Sequence, residues 1–443
     1  MPRFPLVPTT PTPERAVLVG VEWRDGGWPV DHSLDELERL VSTAGAVTVA
    51  RLTQRLERPN PRTFIGSGKV EEVCGFVKRL DADVVVFDDD LTPSQQANLE
   101  VAVGEPVKII DRTALILDIF GLHARTREGR LQVQLAQLQY LLPRLRGMWS
   151  HLAKEQTRGG IGSRFGQGES QLEVDRRLIR RRISTLRHEL ATIERRRGVQ
   201  SKERISSSAY RIALAGYTNA GKSTLLNRLT GSDVLAEDKL FATLDPTTRG
   251  WRLPGGRAVT ITDTVGFIQK LPHGLVDAFK STLSEVREAD LILNVVDASD
   301  EEFRRHINAV DAVLEEIGAG EVPCLLILNK IDRVDDIGRR DLWRLYPDAV
   351  QFSASTGEGM DHLVAALTRE AASNDRLIDI TVPYRDARLL KTIHDQGTIL
   401  VEEYEESGVH LVTKVPVRIA RRLKRLGLFG DDDSGTEPAA NEG

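Results

Sequence analysis

Residues Gly216 to Thr224 read GYTNAGKST, between the apolar run RIALA and the helix-forming stretch LLNRLTG. Glycine, four residues and Gly-Lys-Ser between a strand and a helix is the spacing of a phosphate-binding loop. The backbone and the helix N-terminus supply amide donors, Lys222 is expected to reach the β- and γ-phosphates, and the Ser223 hydroxyl is expected to bind magnesium. The loop predicts a nucleoside triphosphate site at Gly216, Tyr217, Thr218, Asn219, Ala220, Gly221, Lys222, Ser223 and Thr224.

A second group of candidate residues follows the predicted strand AVTITD. Asp263 lies forty residues after Ser223, at a strand end where a carboxylate can hold magnesium, usually through water. Gly266 offers a backbone amide that can contact a γ-phosphate. This segment adds Asp263, Thr264, Val265 and Gly266 to the predicted nucleotide site.

A third group indicates which base is bound. The run LLILNKID places Asn329, Lys330, Ile331 and Asp332 after another buried strand. The two acceptor oxygens of Asp332 match the N1–H and amino group of guanine, a pattern that adenine cannot reciprocate. The later run FSAS supplies a backbone that should approach the guanine O6 at Ser353, Ala354 and Ser355. All these motifs in this order predict a GTPase.

The residue after Gly266 determines how such a site would hydrolyse GTP. Ras-like GTPases have a glutamine there, which orients the attacking water. This chain has Phe267, which cannot orient water by hydrogen bonding. The sequence therefore predicts slow intrinsic hydrolysis rather than none, because the loop, magnesium and Lys222 remain. An external group is expected to complete the site.

The elements that position these residues follow from hydrophobic periodicity. After a flexible leader at residues 1–13, strands alternate with helices, which predicts a small α/β domain at 14–121. Its first helix is expected to begin at the capping residue Ser33. A second α/β domain, a Ras-like P-loop GTPase domain, is expected at 206–374. A short α+β domain at 375–428 and a disordered acidic tail at 429–443 complete the prediction.

Between the two α/β domains, residues 122–205 have the pattern of a helical hairpin. Apolar residues recur there at steps of three, four and seven, as in helices that pack by heptads. They are Leu131, Leu135, Leu138, Leu142, Leu172, Ile179, Ile183, Leu186, Leu190 and Ile193. Between them the run RGMWSHLAKEQTRGGIGSRFGQGES is expected to form an irregular, basic loop.

The same segment carries most of the positive charge of a chain whose net charge is −5. From His123 to Arg197 there are 17 basic residues, 16 of them arginine, and 7 acidic residues. This excess indicates a polyanionic partner such as RNA, although a solvated charged helix or a disordered loop would also explain it. The predicted RNA contacts are Arg144, Arg146, Trp149, Arg158, Arg164 and Phe165.

Composition limits the other possibilities. The 443 residues are 40% hydrophobic and 28% charged, which is typical of a globular protein of about three domains. No apolar run approaches the roughly 18 residues of a membrane span, and residues 1–13 lack a signal-peptide apolar region. Cys74 and Cys324 match no metal spacing, and Cys324 is expected to be a buried thiol. A cytoplasmic monomer is the expectation.

The segments GYTNAGKSTLLNRLTG, KLFATLDPTTR and DTVGFIQKLPHGLVDAFKSTLSEVREADLIL closely resemble the HflX GTPases. So do RTALILDIFGLHARTREGRLQVQLAQLQYLLPRL and ESQLEVDRR, and the resemblance covers about residues 14 to 370. It implies a cytoplasmic GTPase that binds the large ribosomal subunit and its rRNA, and dissociates stalled or idle ribosomes. One departure concerns the hairpin loop, where the family's GxRGPGETQLE reads GSRFGQGESQLE in this chain.

The resemblance also assigns residues. It places the first switch at Phe241, Ala242, Thr243, Leu244 and Asp245, with Thr243 as the second hydroxyl ligand of magnesium, and it places a hydrophobic residue at position 267. It matches Asn219 to an asparagine that coordinates potassium in related GTPases, although Asn219 would equally stabilise the loop. The alternative function is a GTP-gated switch that binds ribosome assembly intermediates or other structured RNA. A signalling role on protein partners fits the basic segment poorly.

Overall fold

The computed structural model describes residues 13–24, 28–155, 165–205, 210–232, 240–241, 243–254, 256–270, 280–373 and 375–416, together with 419, 420, 423, 424, 426 and 428. The chain divides into two compact units. The first comprises Met1–Ile193, Lys239–Phe241 and Lys270–Phe279, and the second comprises Glu194–Asp238, Ala242–Gln269 and Lys280–Gly443. The architecture is α/β, as expected, with a Ras-like sheet in the second unit.

The first unit contains a parallel four-stranded sheet. Its strands are β1 (Arg15–Trp23), β2 (Val47–Leu56), β3 (Val84–Phe87) and β4 (Lys108–Asp111), in the order β2-β1-β3-β4. Helices α1 (Val30–Thr43), α2 (Ser67–Leu80), α3 (Pro93–Val103) and α4 (Arg112–His123) connect or follow them. Strand β1 is buried along most of its length, which is typical of parallel strands covered by helices on both faces.

The start of α1 differs from the expectation. The helix begins at Val30, and Ser33 lies inside its first turn instead of capping it. The Ser33 hydroxyl instead donates to Asp88 at 2.6 Å, and Arg112 donates to the other oxygen of the same carboxylate at 2.6 Å. A buried partner from another element therefore replaces the capping role that Ser33 would have at a helix N-terminus.

The helical hairpin consists of α5 (Arg127–Glu155) and α6 (Phe165–Ile205). The predicted heptad residues form its core, which confirms the hairpin: Leu131, Leu135, Ile183 and Leu186 are buried, with Leu138, Leu142, Ile179, Leu190 and Ile193 packed against them. The side chain of Leu172 lies outside the described part. The irregular loop was predicted too long, because residues 146–155 continue α5 and 165–170 belong to α6.

Arg144, one of the predicted RNA contacts, makes contacts within the first unit. Its guanidinium donates to the Leu91 carbonyl at 2.7 Å and to the Asp111 carboxylate at 3.2 Å, and it stacks 3.5 Å above the ring of Tyr140. These contacts hold α5 against the end of β4 within the first unit. Arg158 and Arg164 lie outside the described residues, as do the side chains of Arg146, Trp149 and Phe165.

The second unit contains a six-stranded sheet in the order β10-β9-β8-β5-β7-β6. Strands β5 (Tyr210–Gly216), β7 (Ala258–Asp263), β8 (Leu291–Asp297), β9 (Cys324–Asn329) and β10 (Val350–Gln351) are parallel, and β6 (Thr247–Arg252) is antiparallel to β7. Its helices are α7 (Lys222–Thr230), α8 (Lys280–Arg287), α9 (Phe303–Glu316), α10 (Asp336–Leu345) and α11 (Met360–Ala372). Cys324, expected to be buried, is exposed at the start of β9.

A three-stranded antiparallel sheet follows in the same unit. Strands β11 (Asp375–Val382), β12 (Thr398–Tyr404) and β13 (Val409–Pro416) have the order β11-β13-β12, and α12 (Ala387–Gln396) lies between β11 and β12 in sequence. Apolar residues of these elements form a separate core that includes Ile380, Ile393 and Leu411. No helix in the described part of the chain is long and apolar enough to cross a membrane.

Candidate nucleotide-binding site

The predicted phosphate loop connects β5 to α7. Gly216 has a φ of +144°, and a Cβ there would lie 2.1 Å from the Val295 carbonyl oxygen. Gly221 has a φ of +95°, and a Cβ there would lie 2.3 Å from the side-chain nitrogen of Asn329. Both positions therefore require glycine, since backbone conformation and close approach each exclude a side chain.

Lys222 lies at the start of α7 with its ammonium group directed into the loop. Its Nζ donates to the carbonyl oxygens of Gly216 at 3.1 Å and Tyr217 at 2.8 Å. Burial lowers the pKa of Lys222 to about 8, and the Asp263 carboxylate opposes that shift. The loop thus holds a cation in the position from which a phosphate group could be bound.

Three oxygen-bearing side chains meet beside this lysine. The Ser223 hydroxyl donates to Asp263 Oδ2 at 2.6 Å and lies 3.0 Å from the Thr243 hydroxyl. Asp263 is fully buried, and its Oδ1 has no hydrogen-bond partner in the described part of the chain. Burial raises the pKa of this carboxyl group, and Lys222 opposes the shift. Two hydroxyls and a carboxylate with an unused oxygen form a donor set that fits Mg²⁺.

The segment after β7 is hydrogen-bonded to the phosphate loop. The Phe267 amide donates to the Gly216 carbonyl at 3.1 Å, and the Thr218 amide donates to the Phe267 carbonyl at 2.7 Å. A Cβ on Gly266 would lie 2.8 Å from Thr218 Cγ2 and 2.9 Å from Lys222 Nζ. The glycine amide and the lysine ammonium are therefore close enough to act on the same phosphate.

The side chain of Phe267 is buried, with 2% of its surface exposed. Two residues later, the Gln269 amide donates to the Tyr217 hydroxyl at 2.6 Å. The Tyr217 ring stacks on His306 of α9 at a centroid distance of 3.9 Å. Sequence reasoning missed Gln269 and His306, because no motif relates positions so far apart to the loop.

Asn329 joins the phosphate loop to the predicted base-binding segment. Its side-chain amide donates to the Ala220 carbonyl at 2.7 Å, and its side-chain oxygen accepts from the Ala354 amide at 2.9 Å. The side chain is buried, so it fixes two loops relative to each other. The predicted residues of the NKID and SAS motifs thereby lie at one end of the parallel strands.

The remaining residues at this end are also held by hydrogen bonds. Lys330 pairs with Asp297 at 2.7 Å, and the Ser353 and Ser355 hydroxyls lie 3.0 Å apart. A hydrogen bond from Ser353 is the main cause that holds the pKa of the exposed Asp332 below its ordinary value. Asp332 is therefore ionised at neutral pH. Arg228 of α7 donates to the Ala354 carbonyl at 3.1 Å; neither Arg228 nor Asp297 was predicted from sequence.

The residues of the predicted first switch belong to different units, Phe241 to the first and Thr243, Leu244 and Asp245 to the second. Thr243 lies at the Ser223 and Asp263 oxygens, and Leu244 is buried. Phe241 belongs to the first unit, where its ring packs edge-to-face on Phe120 at 4.7 Å. Its side chain therefore serves packing. Ala242 lies outside the described residues.

Three family models match successive parts of the chain. Residues 31–121 match the GTP-binding GTPase N-terminal model, 123–204 the GTP-binding GTPase middle region, and 211–330 the 50S ribosome-binding GTPase model. The GTPase HflX of Caldanaerobacter subterraneus subsp. tengcongensis is 45% identical over 417 residues, covering 93% of this chain and 94% of that protein. The GTPase HflX of Escherichia coli K12 is 44% identical over 415 residues, covering 93% and 95%.

The chain belongs to the HflX GTPase family. Membership confirms the expected GTPase activity and the P-loop GTPase fold. Among solved structures, a GTP-binding protein from Sulfolobus solfataricus in complex with GDP is 24% identical, with a TM-score of 0.43 over 81% of this chain and 99% of that one. In this HflX chain, the residue that follows the DxxG glycine is the buried Phe267.

Proposed function

We propose that this HflX-family GTPase binds the large ribosomal subunit and dissociates stalled or idle ribosomes, with GTP controlling its affinity. The observation that supports this most directly is the position of Phe267, where Ras-like GTPases have a glutamine. Its side chain is buried and its backbone is bonded to the phosphate loop, so it contributes no polar group to a water molecule. A GTPase without a polar side chain at this position needs a partner to complete its active site. A macromolecule that orders the segment after Asp263 would meet that need.

The site residues take the following roles in this proposal. The amides of the phosphate loop surround the β- and γ-phosphates, and Lys222 leaves the carbonyls of Gly216 and Tyr217 to neutralise them. Gly266 contacts the γ-phosphate through its amide. Asp332, whose pKa is lowered by a hydrogen bond from Ser353, accepts hydrogen bonds from the guanine N1–H and amino group, while the backbone of Ser353, Ala354 and Ser355 approaches O6.

Ser223, Thr243 and Asp263 would hold Mg²⁺, Asp263 through water. The bound ion would offset the negative charge of the β- and γ-phosphates. The buried Oδ1 of Asp263, which has no hydrogen-bond partner among the described residues, supports this assignment, because a buried carboxylate oxygen without a hydrogen bond is costly unless it serves a ligand. Asn219, with a φ of +60°, is the candidate for a potassium contact, tested by comparing hydrolysis in K⁺ and Na⁺ buffers.

Two further observations support a ribosomal partner. Residues 211–330 match a model described as a 50S ribosome-binding GTPase. The segment from His123 to Arg197 carries ten more basic than acidic residues, which suits the phosphates of rRNA. With Arg144 committed to internal contacts, the proposed RNA contacts are Arg146, Trp149, Arg158, Arg164 and Phe165. We further propose that the protein acts as a monomer in the cytoplasm.

The test is ribosome dissociation measured on sucrose gradients. Purified 70S ribosomes are incubated with the protein and either a non-hydrolysable GTP analogue or GDP. The proposal predicts conversion to 30S and 50S peaks with the analogue, and intact 70S with GDP. Intact 70S ribosomes in both samples, with the protein bound to immature subunits instead, would support the alternative of a GTP-gated switch on assembly intermediates.

A further inference from the structure

Thr218 carries a buried hydroxyl without a hydrogen-bond partner in the described part of the chain. The residue is 7% exposed and occupies the third position of the phosphate loop. Native proteins pair nearly all buried polar atoms, so an unpaired buried hydroxyl indicates a strained or functional position. Packing alone would be served equally well by valine, which has the same shape without the hydroxyl.

The location of Thr218 suggests its function. Its Cγ2 and Cα lie 2.8 and 2.9 Å from the point where a Cβ on Gly266 would stand, and Lys222 Nζ lies 2.9 Å from the same point. Its amide donates to the Phe267 carbonyl at 2.7 Å, which fixes its backbone. The side chain is thus held beside the glycine and the lysine that bind the γ-phosphate in the proposed site.

We propose that the Thr218 hydroxyl is a catalytic group that contacts the γ-phosphate and the attacking water during GTP hydrolysis. It supplies part of the orientation that Phe267 cannot supply. The inference rests on the γ-phosphate position proposed above, and it concerns the intrinsic reaction without ribosomes.

The chemistry of the hydroxyl suits this role. A threonine hydroxyl has one donor hydrogen and two acceptor lone pairs, so it can accept from the water while donating to a γ-phosphate oxygen. In the reaction, a bond forms between the water oxygen and the γ-phosphorus, and the bond to the β,γ-bridging oxygen breaks. The products are GDP and inorganic phosphate, and the proton of the water leaves with the products. Thr218 gains and loses no proton overall.

Two substitutions separate the hydroxyl from the methyl group. Thr218→Val keeps the shape and removes the hydroxyl, and Thr218→Ser keeps the hydroxyl and removes the methyl group. In single-turnover hydrolysis at saturating GTP, Thr218→Val should lower the rate at least about tenfold, as loss of a transition-state hydrogen bond does. Thr218→Ser should restore the rate to within about threefold of the parent protein.

Binding measurements distinguish catalysis from a damaged site. Thr218→Val should bind GDP within about threefold of the parent affinity but lose affinity for GDP with aluminium fluoride, which mimics the transferring phosphoryl group. Its nucleotide-free melting temperature should not fall, because the substitution removes a buried hydroxyl that has no partner among the residues that the structure describes. Thr48→Val is the matched control, since Thr48 in the first unit also has a buried hydroxyl without a partner in the described part of the chain, and its rate should not change.

The proposal is overturned if Thr218→Val hydrolyses GTP within about threefold of the parent rate. It is also overturned if Thr218→Ser is as slow as Thr218→Val, because the methyl contact with Gly266 would then be the important feature. No ribosomal subunits are present in these assays, so neither result affects the proposed ribosomal role. Conversely, a failure to dissociate 70S ribosomes would not affect the proposed role of Thr218.

Discussion

The amide of Thr218 donates a hydrogen bond to the carbonyl oxygen of Phe267 at 2.7 Å. The return bond, from the Phe267 amide to the Gly216 carbonyl, is 3.1 Å long. These two bonds connect the phosphate loop to the segment that we propose contacts the γ-phosphate. They also fix the direction of the Phe267 side chain, which points into the protein. Residue 267 therefore contributes a backbone connection to the site and no polar side chain.

Replacing Phe267 by glutamine should not create an efficient GTPase. The backbone bonds direct the new side chain into the same buried position, where its amide would lack water and substrate. We expect an intrinsic rate within about threefold of the parent and a loss of about 3 kcal/mol in the free energy of unfolding of the second unit. Single-turnover hydrolysis and denaturant unfolding measure the two effects, with Phe267→Leu as the apolar control. A rate increase of more than about tenfold would contradict this geometry.

Gly266→Ala should weaken GTP binding more than GDP binding. The added methyl group would lie 2.8 Å from Thr218 Cγ2 and 2.9 Å from Lys222 Nζ, where the γ-phosphate is proposed to bind. We expect at least about tenfold weaker binding of a non-hydrolysable GTP analogue and about threefold or less for GDP, by calorimetry. Gly250→Ala in β6 is the control, because a Cβ there meets no atom of the described residues within 4 Å. Equal losses for both nucleotides would disprove the placement.

Asp332→Asn should change the base preference. The asparagine amide presents a donor where the guanine N1–H also donates, so the pairing becomes repulsive. We expect GDP affinity to fall at least about 100-fold and affinity for xanthosine diphosphate to rise. Competition against a fluorescent nucleotide measures both. If the variant keeps its GDP affinity, Asp332 does not contact the base.

Arg144→Ala should destabilise the first unit. Its guanidinium pairs with Asp111, whose side chain is 1% exposed, and with the Leu91 carbonyl. Removing the cationic partner of a buried carboxylate should cost about 3 kcal/mol of unfolding free energy. Urea unfolding followed by circular dichroism measures this loss. An unfolding free energy within about 0.5 kcal/mol of the parent would show that this contact is dispensable.

Arg158 and Arg164 should affect ribosome binding. We expect the double substitution Arg158→Ala with Arg164→Ala to weaken co-sedimentation with large subunits about tenfold or more at low salt, because two phosphate contacts are lost. Arg125→Ala with Arg130→Ala provides a control of equal charge change, also within the basic segment. Binding unaffected by the first pair would remove these residues from the interface.

The sequence predicted those features that depend on local spacing. The phosphate loop and the NKID segment are predictable because their residue types stand at fixed spacings over a few positions. The heptad leucines are predictable because they recur at steps of three, four and seven. The internal contacts of Arg144 could not be predicted, because its partners Leu91 and Asp111 are distant in sequence and no local pattern indicates them. The stacking of Tyr217 on His306 was missed for the same reason. Helix α5 extends through Gly147 into the predicted loop, where composition alone favoured irregular structure.

The most direct test is GTP hydrolysis in potassium buffer, with and without purified large ribosomal subunits. Because Phe267 offers no polar side chain to the attacking water, we expect slow hydrolysis alone and a stimulation of at least about 100-fold by the subunits. The parent protein should be stimulated much more than the Arg158 and Arg164 double variant. Equally slow hydrolysis with and without saturating large subunits would contradict the claim that the ribosome completes this active site.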